Sequence, residues 1–218
     1  MYLPYYLCDV IRHTLFEEKC KPVFYHINDN FMPEIDFPEN SYIIYPNYFG
    51  ICGENVKKLV GHYKKLIVDN AHAFFDTPSG FACFNSGAKF NMGDIAFLWI
   101  KNRNSFSVKS DDNPSNTYHT YIKKCRNRFW ELHKTYSGIN CLNIKYSKEM
   151  TPFCYPLLVK DIDEADKIVK ELQDKGLTVY RYWNLLPESY NEYKFYSRLV
   201  PIPIAEILDN KNYPLNAQ

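Results

Sequence analysis

The chain has 218 residues, 46% of them hydrophobic and 23% charged, with 26 Lys and Arg against 25 Asp and Glu. A net charge of +1 gives no electrostatic case for a nucleic-acid or anionic-membrane surface. The longest apolar run, Ile95 to Ile100, falls far short of the ~18 residues of a membrane span, and MYLPYYLCDVIRH lacks the basic start and long apolar stretch of a signal peptide. A soluble protein of one domain, or one with a small appendage, is expected, with a core that needs no staple.

The first hundred residues alternate short strands with helices. Leu7 to Phe16 has helical spacing, with Leu7, Val10, Ile11 and Leu15 on one face, and Pro22 to Tyr25 reads as a strand. Turn residues at Asn28-Asp29-Asn30 and Phe37-Pro38 precede the apolar strand Tyr42 to Tyr45. A helix around Asn55 to Tyr63 and a buried-type strand at Leu66-Ile67-Val68 follow. Strands separated by helices predict a mostly parallel α/β sheet, whose ligands lie at the carboxyl ends of the strands. Asp69 stands at one such end.

Residues 101–118 are polar and rich in Asn, Ser and Pro, and read as a linker. They divide the chain into a large lobe, 1–112, and a small C-terminal α/β lobe, 113–218. A helix is expected from about Thr120 to Tyr136. Its Lys123, Lys124, Arg126 and Arg128 suit either an anion patch or, better, the solvated face opposite a Phe129, Trp130 and Leu132 core stripe. Phe153 to Val159 reads as a strand. Asp161 or Asp163 caps a helix carrying Ile162, Ala165, Ile168, Val169 and Leu172, Gly176 stops it, and Leu177 to Tyr180 reads as the next strand.

The seven cysteines are odd in number and show no C-x-x-C pair, which favours reduced thiols in a cytoplasmic protein over a disulfide framework or a metal site. Aromatics make up 17% of the chain, 19 of them Tyr, a composition that suggests wide semi-polar contact surfaces.

One constellation carries chemistry. The strand Leu66-Ile67-Val68 delivers Asp69 and His72 to its carboxyl end, and Lys89 follows in Asn85-Ser86-Gly87-Ala88-Lys89-Phe90. Singly, each has a plain structural role, Asp69 as a helix cap above all. Together they match the needs of pyridoxal 5'-phosphate: a lysine amine for the Schiff base, a carboxylate for the ring nitrogen and short donors for the phosphate.

At these residues the sequence resembles the DegT/StrS family of sugar aminotransferases, pyridoxal-phosphate enzymes of fold type I. Asp69-Asn70-Ala71-His72 matches the family's Asp-x-Ala-His, and Ser86-Gly87-Ala88-Lys89-Phe90 its Ser-x-x-Lys-Phe. Leu3 to Tyr6, Asn47-Tyr48-Phe49-Gly50, Tyr155-Pro156-Leu157, Leu177 to Trp183 and Leu199 to Pro203 extend the resemblance over nearly the whole chain. It implies that Asp69 pairs with the pyridine nitrogen, His72 lies against the ring or its phenolic oxygen, Ser86 contacts the phosphate, and Lys89 carries the cofactor. A homodimer and small-molecule substrates, a nucleotide-linked keto sugar and an amino-acid donor, are implied with it. Three departures stand beside the matches. The chain begins where the family's large domain is already under way, so the helix whose Gly-rich turn cradles the phosphate is expected to be lacking. Asn91 to Ala96 holds one glycine where adjacent ones are usual, and Gly87-Ala88 replaces Pro-Arg.

The reading preferred is a sugar aminotransferase. A shortened, catalytically impaired relative acting as an interaction module is the alternative, and an unrelated doubly wound domain the third. Arg103, Arg181 and Arg198 are candidates for a substrate anion, and Tyr182 and Trp183 for stacking on a sugar, each with an ordinary surface or core role as the rival reading.

Overall fold

Two uninterrupted apolar runs set the centre of the sheet. Ile43-Ile44-Tyr45 and Leu66-Ile67-Val68 offer no polar residue to water, so both faces of each strand need cover, the condition of a parallel sheet flanked by helices. In the computed structural model, which describes residues 1–102, 106–107 and 115–209, they form β3 (Ile43–Pro46) and β4 (Leu66–Asp69). The two pair in parallel, Ile43 opposite Leu66 and Pro46 opposite Asp69. β1 (Tyr2–Pro4) and β2 (Val23–Tyr25) extend the sheet on one side, and β5 (Ala82–Ser86) on the other, all in parallel. β6 (Ala96–Ile100) and β7 (Phe106–Ser107) finish that second side antiparallel. The order is β2-β1-β3-β4-β5-β6-β7. Sequence order reverses between β1 and β3, where doubly wound sheets open a crevice at their carboxyl ends. The expected helices are α1 (Asp9–Glu17), linking β1 to β2, and α2 (Gly53–His62), linking β3 to β4.

The C-terminal part holds α3 (Ser115–Tyr136), β8 (Cys154–Leu158), α4 (Ile162–Asp174), α5 (Tyr193–Ser197), β9 (Leu199–Pro203) and α6 (Ile204–Asp209). Asp161 caps α4 by accepting the Glu164 N–H at 2.9 Å, and Ala165, Ile168 and Leu172 are its buried stripe. On α3, Cys125, Phe129 and Leu132 are buried, while Lys123 and Lys124 face solvent. The helix is therefore a core element with a solvated face.

Two expectations are corrected. Leu177 to Tyr180 is not a strand. Leu177 and Val179 are buried and alternate with outward residues, but the segment pairs with no ladder, and the Thr178 N–H goes instead to the Glu206 carboxylate at 2.7 Å. The strand beside β8 is β9, antiparallel to it, with Cys154 opposite Pro203. The polar stretch 101–118 is also not wholly linker, since it contains β7 and the first turn of α3. Arg103 and the expected boundary at 112/113 lie outside the described residues.

Five of the described tyrosines, Tyr25 among them, are buried in the core. Tyr6, Tyr45, Tyr48 and Tyr155 are among the largest fully buried side chains. Tyr45 donates to the Phe31 carbonyl at 2.9 Å, Tyr48 to that of Tyr6 at 3.0 Å, and Tyr6 to that of Phe195 at 3.2 Å. A buried phenol with a backbone acceptor adds apolar area without an orphaned hydroxyl, and the Tyr6–Phe195 bond joins the N-terminal part to the C-terminal segment within one continuous core. All seven cysteines are free. No described helix is long and apolar enough to cross a membrane.

Candidate active site

β4 ends at Asp69, and the chain turns at once. The Asp69 carboxylate accepts the Ala71 N–H at 2.8 Å, and the Asn70 N–H bonds the Phe84 carbonyl of β5 at 2.8 Å. Burial of Asp69 pushes its carboxyl up to about 6, with the Ala71 N–H and the Lys89 charge pulling the other way. No further hydrogen bond among the described residues engages that carboxylate.

His72 is buried among rings. Phe153 lies 4.6 Å from it by ring centroids, and Trp183 lies parallel to it at 5.4 Å with an interplanar angle of 2°. Its Nδ1 stands 3.1 Å from the Phe49 backbone nitrogen. Burial lowers the His72 pKa well below its ordinary value, and the Lys89 charge adds to that.

Lys89 comes from the single-turn helix Ala88–Phe90 that follows β5. Its Nζ sits 4.5 Å from the Tyr182 ring centroid and 5.4 Å from that of Phe153. Burial lowers its pKa, while Cys154, Cys8 and Asp69 raise it in part. Lys89 thus acts on the protonation of both Asp69 and His72, and the structure brings the lysine that the sequence singled out near the other two. Ser86 ends β5, three residues before Lys89, and its Oγ is 3.4 Å from the Ala88 nitrogen.

The remaining candidates have structural partners. Arg181 pairs with Asp166, and Arg198 donates to the Lys160 carbonyl at 2.8 Å. Arg126 donates to Thr151 Oγ1 at 3.1 Å. Sequence reasoning passed over Phe153 and Phe49, since neither carries a local signal of meeting Lys89 or His72. A cleft of about 330 Å³ opens on Lys89, with Phe153, Tyr180, Tyr182 and Glu206 in its wall. A larger groove of about 520 Å³ runs along α3, lined by His119, Lys123, Arg126 and Trp130 together with Lys148, and Lys89 does not line it. The Lys89 cleft is marked by its depressed amine, on which the raised carboxyl of Asp69 acts from outside the cleft wall, so chemistry rather than size marks the site.

The donor set suits pyridoxal phosphate on its ring and amine side: a lysine whose pKa burial lowers, a buried carboxylate with acceptor capacity to spare and a neutral imidazole. For the phosphate, the matching described residue is Ser86.

No family model matches this chain, and no curated protein does. Solved structures do. Spr1654 of Streptococcus pneumoniae, described as a sugar aminotransferase, matches in its PMP form with a TM-score of 0.69 at 13% identity, over 95% of this chain and 79% of that one. The sugar aminotransferase CalS13 of Micromonospora echinospora matches at 0.64 and 12%, over 93% and 74% of the two chains. PseC of Helicobacter pylori, an aminotransferase involved in the biosynthesis of pseudoaminic acid, matches at 0.57 and 14%, over 93% and 73%. This chain therefore has the fold of the type I sugar aminotransferases, and at these identities the likeness speaks of fold.

Proposed function

We propose that the protein is a pyridoxal-phosphate-dependent aminotransferase acting on a keto sugar. The observation that carries this reading is the meeting of Asp69, His72 and Lys89 at the carboxyl ends of β4 and β5, in a fold shared with sugar aminotransferases. The PMP form of Spr1654 supports the cofactor assignment.

Pyridoxal phosphate, when bound, supplies an electron sink for the charge left when a proton leaves the substrate carbon next to nitrogen. Asp69 would accept the ring N–H and hold it in place. Lys89, with a larger share of free amine than an exposed lysine, is suited to attack a carbonyl carbon and afterwards to carry the proton. Tyr182 and Phe153 set their rings against its amine. Ser86 would donate to the phosphate.

The fuller reading is a cytoplasmic homodimer that aminates a nucleotide-linked keto sugar for amino-sugar or polysaccharide biosynthesis, its cofactor lobe spanning residues 1–112 and its small lobe 113–218. The seven free thiols and the aromatic wall of the Lys89 cleft support it.

The test is an absorption spectrum of the protein with added pyridoxal phosphate, followed by borohydride reduction and peptide mass mapping. A new band and a reduced adduct at Lys89, both missing from Lys89→Ala, are expected. Adducts scattered over surface lysines, with none at Lys89, would remove the cofactor assignment.

A further inference from the structure

The turn preceding α2 makes a contact with His72 that the reading above does not use. Phe49 is fully buried, so its backbone N–H has no access to water and needs an acceptor. It finds His72 Nδ1 at 3.1 Å. An amide N–H can only donate, so Nδ1 carries the lone pair and the imidazole proton sits on Nε2.

The turn is built at a cost to make this approach. Phe49 has φ 54 and ψ 8, and Gly50 has φ 73, two successive left-handed residues of which the first bears a bulky side chain. A Cβ at Gly50 would stand 2.3 Å from the His72 carbonyl oxygen, so the turn is pressed against the histidine's own backbone. Asn47 clamps it. The Asn47 N–H bonds the Asp69 carbonyl at 2.9 Å, and its side-chain oxygen accepts the Cys52 N–H at 2.9 Å. Trp183, parallel to the imidazole, sets the ring plane from the other side.

We infer that the Asn47–Gly50 turn is a positioning device, holding His72 as the neutral Nε2–H tautomer so that it presents a hydrogen-bond donor to the cofactor ring. The donor's target rests on the pyridoxal-phosphate reading; the tautomer does not. No hydrogen bond among the described residues engages Nε2, which leaves that N–H to a ligand. A second proton would have to go on Nδ1, facing the Phe49 N–H donor to donor. The charged group bearing on the ring is Lys89, and as a cation it opposes that protonation too. The Phe49 bond fixes the tautomer by itself, so the response of Nε2 to added cofactor is what separates a donor from a packing ring.

The experiment is a two-bond ¹H–¹⁵N correlation spectrum of the ¹⁵N-labelled full chain, with the His72 signals assigned by their loss in His72→Gln. In the free chain, His72 is expected to show a bare Nδ1 and a protonated Nε2, unchanged between about pH 5 and 8. A protonated Nδ1, a mixture of tautomers or a titration in that range overturns the lock. With pyridoxal phosphate added, Nε2 should shift while Nδ1 stays bare. An adduct on Lys89 that leaves Nε2 unmoved overturns the donor role. Absence of any Lys89 adduct refutes the cofactor reading and the donor's target together, and the free-chain spectrum then decides the lock by itself.

Discussion

Glu192, wholly buried, hydrogen-bonds His26 from 166 residues further along the chain, its Oε1 3.0 Å from Nδ1. The same oxygen accepts the Ile27 N–H at 2.8 Å. One carboxylate out of water thus ties the carboxyl end of β2 to the residue before α5, and Lys194 repeats the tie by pairing with Asp29. Glu192→Ala strips the Ile27 N–H of its acceptor where water does not reach. Urea unfolding is expected to show a loss of about 1–3 kcal/mol with an unchanged m-value. A loss under about 0.5 kcal/mol, the size of an ordinary surface change, would mean that this tie does not hold the two parts together.

The raised carboxyl of Asp69 has a consequence for stability. Its pKa moves from 3.8 to about 6 on burial, so the folded chain binds this proton more tightly than the unfolded chain does. The group's contribution therefore favours folding below the unfolded value and is lost as pH rises through about 6. Asp69→Asn, which removes the charge and keeps an acceptor for the Ala71 N–H, should be more stable than the parent near pH 8, by roughly 3 kcal/mol. Near pH 4 the two should unfold together. The same variant should fail to hold pyridoxal phosphate. Equal stabilities at both pH values would show that the carboxylate is solvated and contradict the burial of the site.

Both the legible and the illegible parts of this fold have physical reasons. β3 and β4 stand out because a strand covered on both faces is an unbroken apolar run; Asp69 is visible because it ends one, and His72 and Lys89 because they fall in the short motifs Asp69-Asn70-Ala71-His72 and Ser86-Gly87-Ala88-Lys89-Phe90. β9 is masked by Pro201 and Pro203, which lower strand propensity but suit a strand with one unpaired edge. Leu177 to Tyr180 misleads for the converse reason: alternation reports which side chains are buried, not whether a ladder partner exists. The tie from Glu192 to His26 and the approach of Phe153 to Lys89 join residues distant in sequence, and no local pattern encodes them.

Gly50 should tolerate no side chain. Its φ of 73 is left-handed, and a Cβ there would meet two backbone atoms, the His72 oxygen at 2.3 Å and Pro152 Cα at 2.9 Å. Neither can rotate away. Gly50→Ala is expected to cost more than about 2 kcal/mol, strain and displacement together. Gly138→Ala is the control, because nothing lies within 4 Å of its Cβ position, and it should be neutral or slightly stabilising. Thermal unfolding of the pair separates the two cases. A Gly50→Ala chain as stable as the control would show that the turn can back away from His72, and the hold on that imidazole would be loose.

α3 offers a direct contest between its two faces. Phe129 is fully buried, tilted against Tyr155 at 5.2 Å and edge-on to Tyr146 at 5.1 Å by ring centroids, whereas Lys123 and Lys124 are exposed. If the helix serves as a core element, Phe129→Ala should cost about 3–5 kcal/mol. Replacing both lysines by Ala should change stability by less than about 0.5 kcal/mol. It should also leave the Lys89 adduct with pyridoxal phosphate untouched, since neither lysine lines the Lys89 cleft. A lysine pair whose loss weakens that adduct would instead make the basic face part of the phosphate site, and the solvated-face reading would fall.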